Sequence, residues 1–411
     1  MKKTKIVNDP VHGFITVRSP LVYSLLEQPC VQRLRSIKQL GLTHLVYPGA
    51  CHNRLQHALG ATSLMERALD VLKSKGHTID KDEFDGALAA ILLHDLGHGP
   101  FSHTLELSIV DVHHETVSML LIEQLNRQMN GALDAAIEIF SKRHRKQFLN
   151  ELVSGQLDMD RLDYLRRDSF FSGVVEGMVG LERIINMLDV DDDRLVVEAK
   201  GLYSVENFLI SRRLMYWQVY LHKTVLSAEH VMNMILRRAR YLVGNGDKEL
   251  FASPALAFFL NNRLNADEFA ANPEALANFA LLTDSDVECA ASVWTQHRDR
   301  VLSLLCRMLL HRRLPRTELN AEPFEQWMVE DKKSLVRRKL KLTDEESDYF
   351  VCSRMVSNTG YSTAHNQILI KNRNGSLNDI YDASDMLRHS NFNEETHKYM
   401  LCYMKEQFFS D

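Results

Sequence analysis

The stretch that decides the fold is His94-Asp95-Leu96-Gly97-His98-Gly99-Pro100-Phe101-Ser102-His103. It follows an apolar run over residues 87–93, whose good helix formers predict a buried helix, and its two glycines predict that the helix ends there. A histidine beside an aspartate at a helix end can offer one nitrogen and one oxygen to a divalent metal. A lone pair of this kind is more often a capped helix end, but three imidazoles within ten residues favour a metal site.

Composition limits the class of protein. The chain has 411 residues, 45% hydrophobic and 25% charged, which is typical of a globular protein with one large domain and a smaller one. Because its net charge is −5, we do not expect nucleic acid to be its main partner, although the sequence leaves such binding possible. We expect no membrane span, because no apolar run reaches about 18 residues. Six scattered cysteines and an N-terminus without the apolar core of a signal peptide indicate a cytoplasmic protein.

Helical patterns dominate the first three quarters of the chain. We expect an extended segment over residues 5–18, a short helix from residue 20 to 26, and a basic helix over residues 30–40 that ends at Gly41. Hydrophobic spacing predicts further helices after Asn53 to residue 72 and over residues 82–96, 113–129, 158–168, 203–243 and, with interruptions, 254–312.

The tail has a different pattern. Residues 321–345 form a charged, helix-prone linker, and strands are predicted over residues 349–356, 367–371, 376–380 and 398–403. Asn374-Gly375 lies between two of these strands and predicts a β-hairpin. The sequence therefore predicts a mainly α protein with a helical domain over residues 1–320. A small α+β C-terminal region with its linker would occupy residues 321–411.

Potential metal ligands concentrate in the predicted helices. Nine of the 18 histidines lie between residues 44 and 114. His57, His94, Asp95 and Asp160 come from three predicted helices, which a shared metal would join.

Polar residues also recur along one face of the predicted helix over residues 158–168. Asp160, Tyr164 and Asp168 are spaced by four residues, so we expect them to line a pocket. Arginine suits phosphate, and a metal lowers the pKa of water and neutralises phosphoryl oxygens. These features predict a metal-dependent phosphohydrolase. The groups that remain for phosphate binding and proton transfer are Arg54, Arg161, Arg212, His98, His103, His114 and Glu106.

Five sequence blocks resemble the deoxynucleoside triphosphate triphosphohydrolases (dNTPases, including dGTPases) of the HD-domain superfamily. The blocks are residues 8–13, 32–41, 48–57, 94–103 and 158–168, and they agree in order and spacing. The subgroup they resemble comprises the sterile-alpha-motif and HD-domain dNTPases and their bacterial relatives. The resemblance covers roughly residues 5–245 and implies an HD-domain helical core at about residues 49–170. The tail does not obviously match.

The resemblance implies a role for each matching residue. The ligands of one divalent metal per subunit (Mn, Fe, Zn, Ni or Mg) would be His57, His94, Asp95 and Asp160. The catalytic groups would be His114 with Glu106, and His98. The substrate-binding residues would be Gln39, Arg54, His103, Arg161, Tyr164, Asp168, Arg212 and Tyr220.

The resemblance also implies regulation and assembly. The family forms homo-oligomers, so we expect a dimer or tetramer. An activating nucleotide, with Mg²⁺, would bind between subunits near Lys5, Asn8, Glu27, Arg35 and Lys200. Glu27 replaces an aspartate that reads guanine, and Leu221 replaces a glutamine near the substrate base. The resemblance therefore predicts neither the activator nor the preferred base.

Two other functions remain open from the sequence. One is an HD phosphohydrolase that acts on a nucleoside monophosphate or a signalling nucleotide; three arginines around one pocket favour three phosphates over one. The other is a nucleotide-sensing or single-strand nucleic-acid-binding module with an inactive site, which salt-sensitive binding would indicate.

Overall fold

The computed structural model describes residues 4–102, 108, 110–364, 366–390 and 392–409. Helices make up most of this part of the chain, in agreement with the predicted mainly α class. The α-helices in the described residues are α1 Pro20–Leu26, α2 Pro29–Gln32, α3 Arg54–Ser74, α4 Lys81–Leu93, α5 His114–Gln128, α6 Asp134–Phe140, α7 Gln147–Val153, α8 Met159–Ser172, α9 Leu181–Asn186, α10 Leu202–Met215, α11 Lys223–Gly244, α12 Pro254–Asn261, α13 Ala266–Ala271, α14 Pro273–Phe279, α15 Asp284–Trp294, α16 Arg300–Leu310, α17 Gln326–Leu340, α18 Asp344–Ser347, α19 Ile380–Ala383 and α20 Asp385–Arg388.

The strands form three small sheets in the described residues. They are β1 Lys5–Asp9, β2 Gly13–Val17, β3 Leu188–Asp191, β4 Arg194–Glu198, β5 Arg316–Asn320, β6 Val351–Thr359, β7 Leu369–Lys371, β8 Leu377–Asp379 and β9 Glu395–Tyr403. Strands β1 and β2 make an N-terminal hairpin, and the other sheets have the orders β3-β4-β7-β8 and β5-β9-β6. Strands β7 and β8 flank the turn at Gly375, so the predicted C-terminal hairpin is confirmed.

Helix α4 lies at the centre of the large domain. Its last seven residues are all buried, which matches the apolar run that precedes the His94-Asp95 pair. Because this helix is apolar on every side, it needs neighbours all round, and α1, α3, α6 and α7 pack against it. The end of α4 therefore lies inside the domain, where His94 and Asp95 follow.

Helices α3 and α8 pack closely beside α4. Asn53 caps α3 and Asp158 caps α8, each through its side-chain oxygen. Gly60 of α3 faces α8, and a Cβ there would lie 2.0 Å from Oδ1 of Asp163. The glycine thus makes room for a buried carboxylate between the two helices.

Two sequence-based expectations were wrong. The helix expected over residues 30–40 is only α2 and a 3₁₀ turn at Arg33–Ser36. The chain then leaves the helical path because its backbone binds other segments: Asp284 accepts the Lys38 amide proton and His52 accepts that of Gln39. The helix expected over residues 203–243 is divided by a π-helical turn at Tyr216–Tyr220, and α11 restarts at Lys223.

The C-terminal strands pair with strands from earlier in the chain. Strand β7 runs parallel to β4, and β9 pairs with β5 as well as with β6. The division at residue 320 stays a prediction. Among the described helices, none combines the length and apolar character that a membrane span requires. All six cysteines are free thiols.

Replacement of Gly97 by alanine tests the packing around the end of α4. A Cβ at this position would lie 1.9 Å from the carbonyl oxygen of His114 and 2.5 Å from the amide nitrogen of Ser118. Both are backbone atoms, so α5 must move. We expect Gly97→Ala to lower the free energy of unfolding by about 3 kcal/mol in denaturant titration. Gly180→Ala is the control, because a Cβ there meets nothing within 4 Å. Equal stability of the two variants would contradict this packing.

Candidate functional site

Three potential metal ligands converge between α3, α4 and α8. His57 lies on α3, His94 ends α4, and Asp160 lies in the first turn of α8. One ligand atom of each lies within 4.8 Å of the others. The Nε2 atom of His57 is 3.0 Å from Oδ1 of Asp160, and that of His94 is 3.4 Å from the same oxygen. This cluster could hold a metal ion.

The carboxylate of Asp95 lies beside the same three groups. Its Oδ1 atom is 3.2 Å from Nε2 of His94, and its Oδ2 atom is 3.7 Å from Nε2 of His57. Arg54 donates from Nη1 to Oδ2 of Asp95 over 2.5 Å. The four predicted ligands are thus close together, with a guanidinium against one of them.

The second nitrogen of each imidazole is held by an acceptor. Nδ1 of His57 lies 2.8 Å from Oδ2 of Asp163, and Nδ1 of His94 lies 2.7 Å from the carbonyl oxygen of Ile91. These contacts fix the orientation of each ring and turn its Nε2 toward the carboxylates, an arrangement typical of histidine metal ligands. Two imidazole nitrogens and two carboxylates suit a borderline divalent metal. The residues therefore fit a metal.

Asp163 is a site residue that the sequence analysis did not single out. Besides His57, it contacts Nε2 of His12 at 2.5 Å and accepts hydrogen bonds from Arg167, which in turn binds Asp9. The four-residue spacing of Asp163 and Arg167 was visible in the sequence. It resembled a solvent-exposed ion pair on a helix, whereas both side chains are fully buried.

The charges of the cluster are strongly coupled. Burial opposes ionisation of Asp160, but hydrogen bonds from His57 and His94 hold the pKa of its carboxyl well below the ordinary value. Burial likewise opposes protonation of His57, but Asp160 and Asp163 raise the pKa of its imidazole to about 10. A metal that binds here must displace the proton from Nε2 of His57.

A cavity of about 540 Å³ opens on the metal ligands. Asp160, Tyr164 and Asp168 line it along one face of α8, so the predicted stripe does face a pocket. The other predicted site residues that line the cavity are Gln39, Arg54, His94, Asp95, His98, His114, Arg161 and Tyr220. His57 is completely buried behind this surface.

Two arginines near Tyr164 carry buried nitrogens without partners among the described residues; Arg161 lines the cavity, and Arg212 is not among the lining residues. Nη1 of Arg161 donates to Asp158, but its Nε is buried and has no hydrogen-bond partner among the described residues. The Nε and Nη1 atoms of Arg212 are also buried and have no hydrogen-bond partner among the described residues. Both arginines lie near Tyr164: burial raises the pKa of this phenol, and the two guanidinium groups oppose that shift. Buried donors of this kind favour an anionic ligand.

The far end of the α8 stripe carries a hydrogen-bonded polar group. The phenol of Tyr220 donates to Oδ2 of Asp168 over 2.8 Å, and Nε2 of His52 lies 2.7 Å from Oδ1. Oε1 of Gln39 is buried and has no partner among the described residues. His52 is a further residue that sequence reasoning missed.

Two of the three predicted catalytic residues lie together. The rings of His98 and His114 are stacked with centroids 4.0 Å apart. Nε2 of His98 is 3.3 Å from Oδ1 of Asp95, and burial together with Arg54 holds the pKa of its imidazole well below the ordinary value. His98 thus lies beside a candidate metal ligand. The third, Glu106, and the predicted phosphate ligand His103 lie outside the described residues.

Residues from distant segments of the chain hold the loop that follows the His94-Asp95 pair. Phe101 and Ser102 both have left-handed backbone angles, at φ 53° and 58°. Such strain persists only where neighbours impose it. Asp284 accepts the Phe101 amide proton over 2.8 Å, and the buried guanidinium of Arg33 donates to the carbonyl oxygens of Leu96 and His98. The sequence patterns gave no role to Arg33 or Asp284.

The residues expected at a regulatory nucleotide site lie outside the cavity lining. Nζ of Lys5 on β1 is 3.5 Å from Glu27, which follows α1. Asn8, Arg35 and Lys200 are exposed, and Arg35 donates to Gln32 over 2.7 Å. The structure thus brings together only Lys5 and Glu27 by a described ion pair, and their function stays a prediction.

Replacement of Asp163 by asparagine tests how the metal cluster is positioned. The variant removes the charged acceptor of His57. It also removes one of the two carboxylates that balance the positive charge of Arg167. We expect metal affinity to fall about 10- to 100-fold in chelator competition, with a lower melting temperature. Asp267→Asn, an exposed site on α13, is the matched control. An unchanged metal affinity in Asp163→Asn would show that this carboxylate does not orient His57.

Family comparisons agree with this geometry. The HD domain model matches residues 54–168, and the HD associated region matches residues 179–251. Uncharacterized protein YwfO of Bacillus subtilis is 34% identical over 321 residues, which cover 76% of this chain and 72% of the relative.

Two further proteins that this chain resembles have names that state a function. Human deoxynucleoside triphosphate triphosphohydrolase SAMHD1 is 30% identical over 264 residues, or 53% of this chain, and the match spans 42% of the human protein. The crystal structure of a phosphohydrolase from Bacteroides thetaiotaomicron is 50% identical, with a TM-score of 0.95 over 98% of this chain and 100% of that one. With the HD signature, the cluster of potential metal ligands and full-length relatives in agreement, this chain belongs to the HD-domain phosphohydrolase family.

Proposed function

We propose that the protein hydrolyses deoxynucleoside triphosphates to a deoxynucleoside and inorganic triphosphate. The observation that carries this proposal is one cavity lined both by potential metal ligands and by Arg161, whose buried Nε has no hydrogen-bond partner among the described residues. A cluster of ligands alone suits many phosphate esters. Several cations around the same cavity favour a chain of phosphates.

The phosphate end would be formed by Arg54, Arg161 and Arg212. Arg54 is fixed against Asp95, whereas Arg161 and Arg212 each keep buried nitrogens available for a ligand. Charge-assisted hydrogen bonds to phosphoryl oxygens would satisfy these nitrogens. A nucleoside monophosphate would leave most of them unsatisfied.

The sugar would lie between Gln39, Asp168 and Tyr220. Asp168 is fixed by Tyr220 and His52, so its position is set before any ligand binds. The Oε1 atom of Gln39 still requires a donor, which a sugar hydroxyl would supply. Selection of deoxyribose over ribose belongs to this proposal, since the resembled family uses these positions for it.

The reaction would be attack of water on the α-phosphorus, with cleavage of the bond from that phosphorus to the 5′-oxygen. A divalent metal bound by His57, His94, Asp95 and Asp160 would supply Lewis-acid activation and lower the pKa of a bound water. Arg161 and Arg212 would hold the triphosphate while its charge redistributes and the deoxynucleoside departs through its 5′-oxygen.

His114 would donate a proton to the departing 5′-oxygen. It lines the cavity and is stacked on His98. His98 is the less suitable donor, because its ring already contacts Asp95 and its pKa is held well below the ordinary value. The attacking water loses one proton and the 5′-oxygen gains one, so the products are a deoxynucleoside and triphosphate.

The relatives with a named dNTPase activity support the substrate class, but their match covers only part of this chain. The chain spans less than half of the SAMHD1 proteins that it matches, and the Bacillus relative carries no functional name. The deoxynucleoside triphosphate triphosphohydrolase activity of SAMHD1 supports the proposed substrate class.

We further propose that the protein is a homo-oligomer with a nucleotide site between subunits. Phe14 on β2 is 77% exposed and lies directly opposite Asn8 on β1, near the Lys5–Glu27 pair. Tyr203 at the start of α10 is 78% exposed. Exposed apolar side chains beside the predicted regulatory residues are typical of a protein interface.

Product analysis tests the proposed reaction. Purified protein supplied with Mn²⁺ or Mg²⁺ should convert dNTPs, singly or in pairs, to deoxynucleoside and triphosphate, with ribonucleoside triphosphates cleaved more slowly. Separation of the products by anion exchange identifies the bond that breaks. Orthophosphate or pyrophosphate as the first product would refute the reaction, and turnover of dAMP without turnover of dATP would reassign the substrate.

Replacement of His114 tests the proton donor. We expect His114→Ala to lower kcat about 10²- to 10⁴-fold, because one general-acid step is lost, while metal content and dNTP binding stay at the parent level. His113→Ala, at the neighbouring exposed histidine, is the matched control. A rate within a few-fold of the parent would remove His114 from the reaction.

A further inference from the structure

Glu229 is a cavity-lining carboxylate that the proposed reaction does not use. It lies on α11, is half-buried and lines the same cavity as the metal ligands. Among the described residues, no hydrogen bond or ion pair involves its carboxylate. Because a carboxylate repels a triphosphate wherever the two approach each other, Glu229 is poorly suited to the phosphate end of the cavity.

Glu229 follows Tyr220, the partner of Asp168, by nine residues along the chain, and both line the cavity. Asp160 adjoins the metal cluster, and Asp168 lies eight residues along α8, or about 12 Å at the helical rise. Tyr220 binds Asp168, and Leu221 follows it along the cavity wall. Leu226 and Glu229 continue this wall on the first two turns of α11.

The surroundings of Glu229 differ from those of the phosphate end. The cation that lowers the pKa of Glu229 is Arg354 on β6, rather than the arginines near the metal cluster, and burial raises this pKa to about 7. Leu226 packs in an apolar cluster with Met400 and Cys402 of β9. The C-terminal sheet therefore backs this part of the cavity with a rigid apolar wall that carries one acidic group.

We propose that Glu229 selects guanine by accepting hydrogen bonds from N1–H and the N2 amino group of the base. This inference rests on the proposed function, because it takes the triphosphate at the arginine end and the base at the other. Guanine presents two adjacent donors, which match the two oxygens of a carboxylate. Thymine presents N3–H between two carbonyl oxygens, and adenine and cytosine pair one amino donor with a ring nitrogen acceptor.

The test is the specificity ratio rather than the rate. We expect kcat/KM to be highest for dGTP. In Glu229→Gln, which preserves side-chain volume, the ratio of dGTP to dTTP should fall about 10- to 100-fold because one acceptor becomes a donor. Glu249→Gln is the matched control at an exposed glutamate just beyond α11. In Glu229→Ala, the preference for dGTP over dITP, which lacks the N2 amino group, should disappear.

A binding measurement separates this inference from the proposed reaction. Calorimetry with deoxyguanosine and thymidine should show a deoxyguanosine preference in the parent and its loss in Glu229→Gln. If no dNTP is hydrolysed but this preference and its loss are observed, the reaction is refuted and the role of Glu229 stands. If dNTPs are hydrolysed and Glu229→Gln changes all four substrates equally, or changes none, the role of Glu229 is refuted.

Discussion

The buried carboxylate of Asp163 is the interaction on which the rest of the site depends. It is completely removed from solvent, a state that costs several kcal/mol for an uncompensated charge. His12, His57 and Arg167 compensate it, and they come from the N-terminal hairpin loop, α3 and α8. One carboxylate therefore fixes the relative positions of three segments and the ring orientation of a potential metal ligand at once.

The metal cluster is a consequence of how three helices pack. Gly60 lets the Asp163–Arg167 pair enter between α3 and α8, and the apolar character of α4 brings its end between them. His57, His94 and Asp160 then face one another from separate helices. Since the protein brings together two carboxylates and two imidazoles before any metal is considered, much of their mutual repulsion must be balanced by neighbours. Arg54, which donates to Oδ2 of Asp95, serves this purpose in the structure.

Local sequence signals predicted the parts of the fold that depend on neighbouring residues. The end of α4, the four-residue stripe on α8 and the Asn374-Gly375 turn each follow from short patterns. Contacts between distant segments carried no such signal. The carbonyl oxygens of Leu96 and His98 accept from Arg33, yet Arg33 looked like one more cation on an amphipathic helix. Distant contacts also explain why residues 30–40 do not form the expected helix: the backbone amides of Lys38 and Gln39 bind Asp284 and the carbonyl oxygen of His52.

The π-helical turn at Tyr216–Tyr220 links the C-terminal region to the cavity. Such turns insert an extra residue into a helix and recur at functional sites. Here the insertion lets Tyr216 and Tyr220 line the cavity with ring centroids 5.1 Å apart. Between them in sequence, Trp217 is covered by Lys398 of β9, with Nζ 3.9 Å from the ring centroid. Because β9 contacts the turn and also backs Leu226, the strand holds two parts of the cavity wall at once. The C-terminal region thus acts as part of the site's framework, although it contributes none of the residues that the sequence motifs assign to the chemistry.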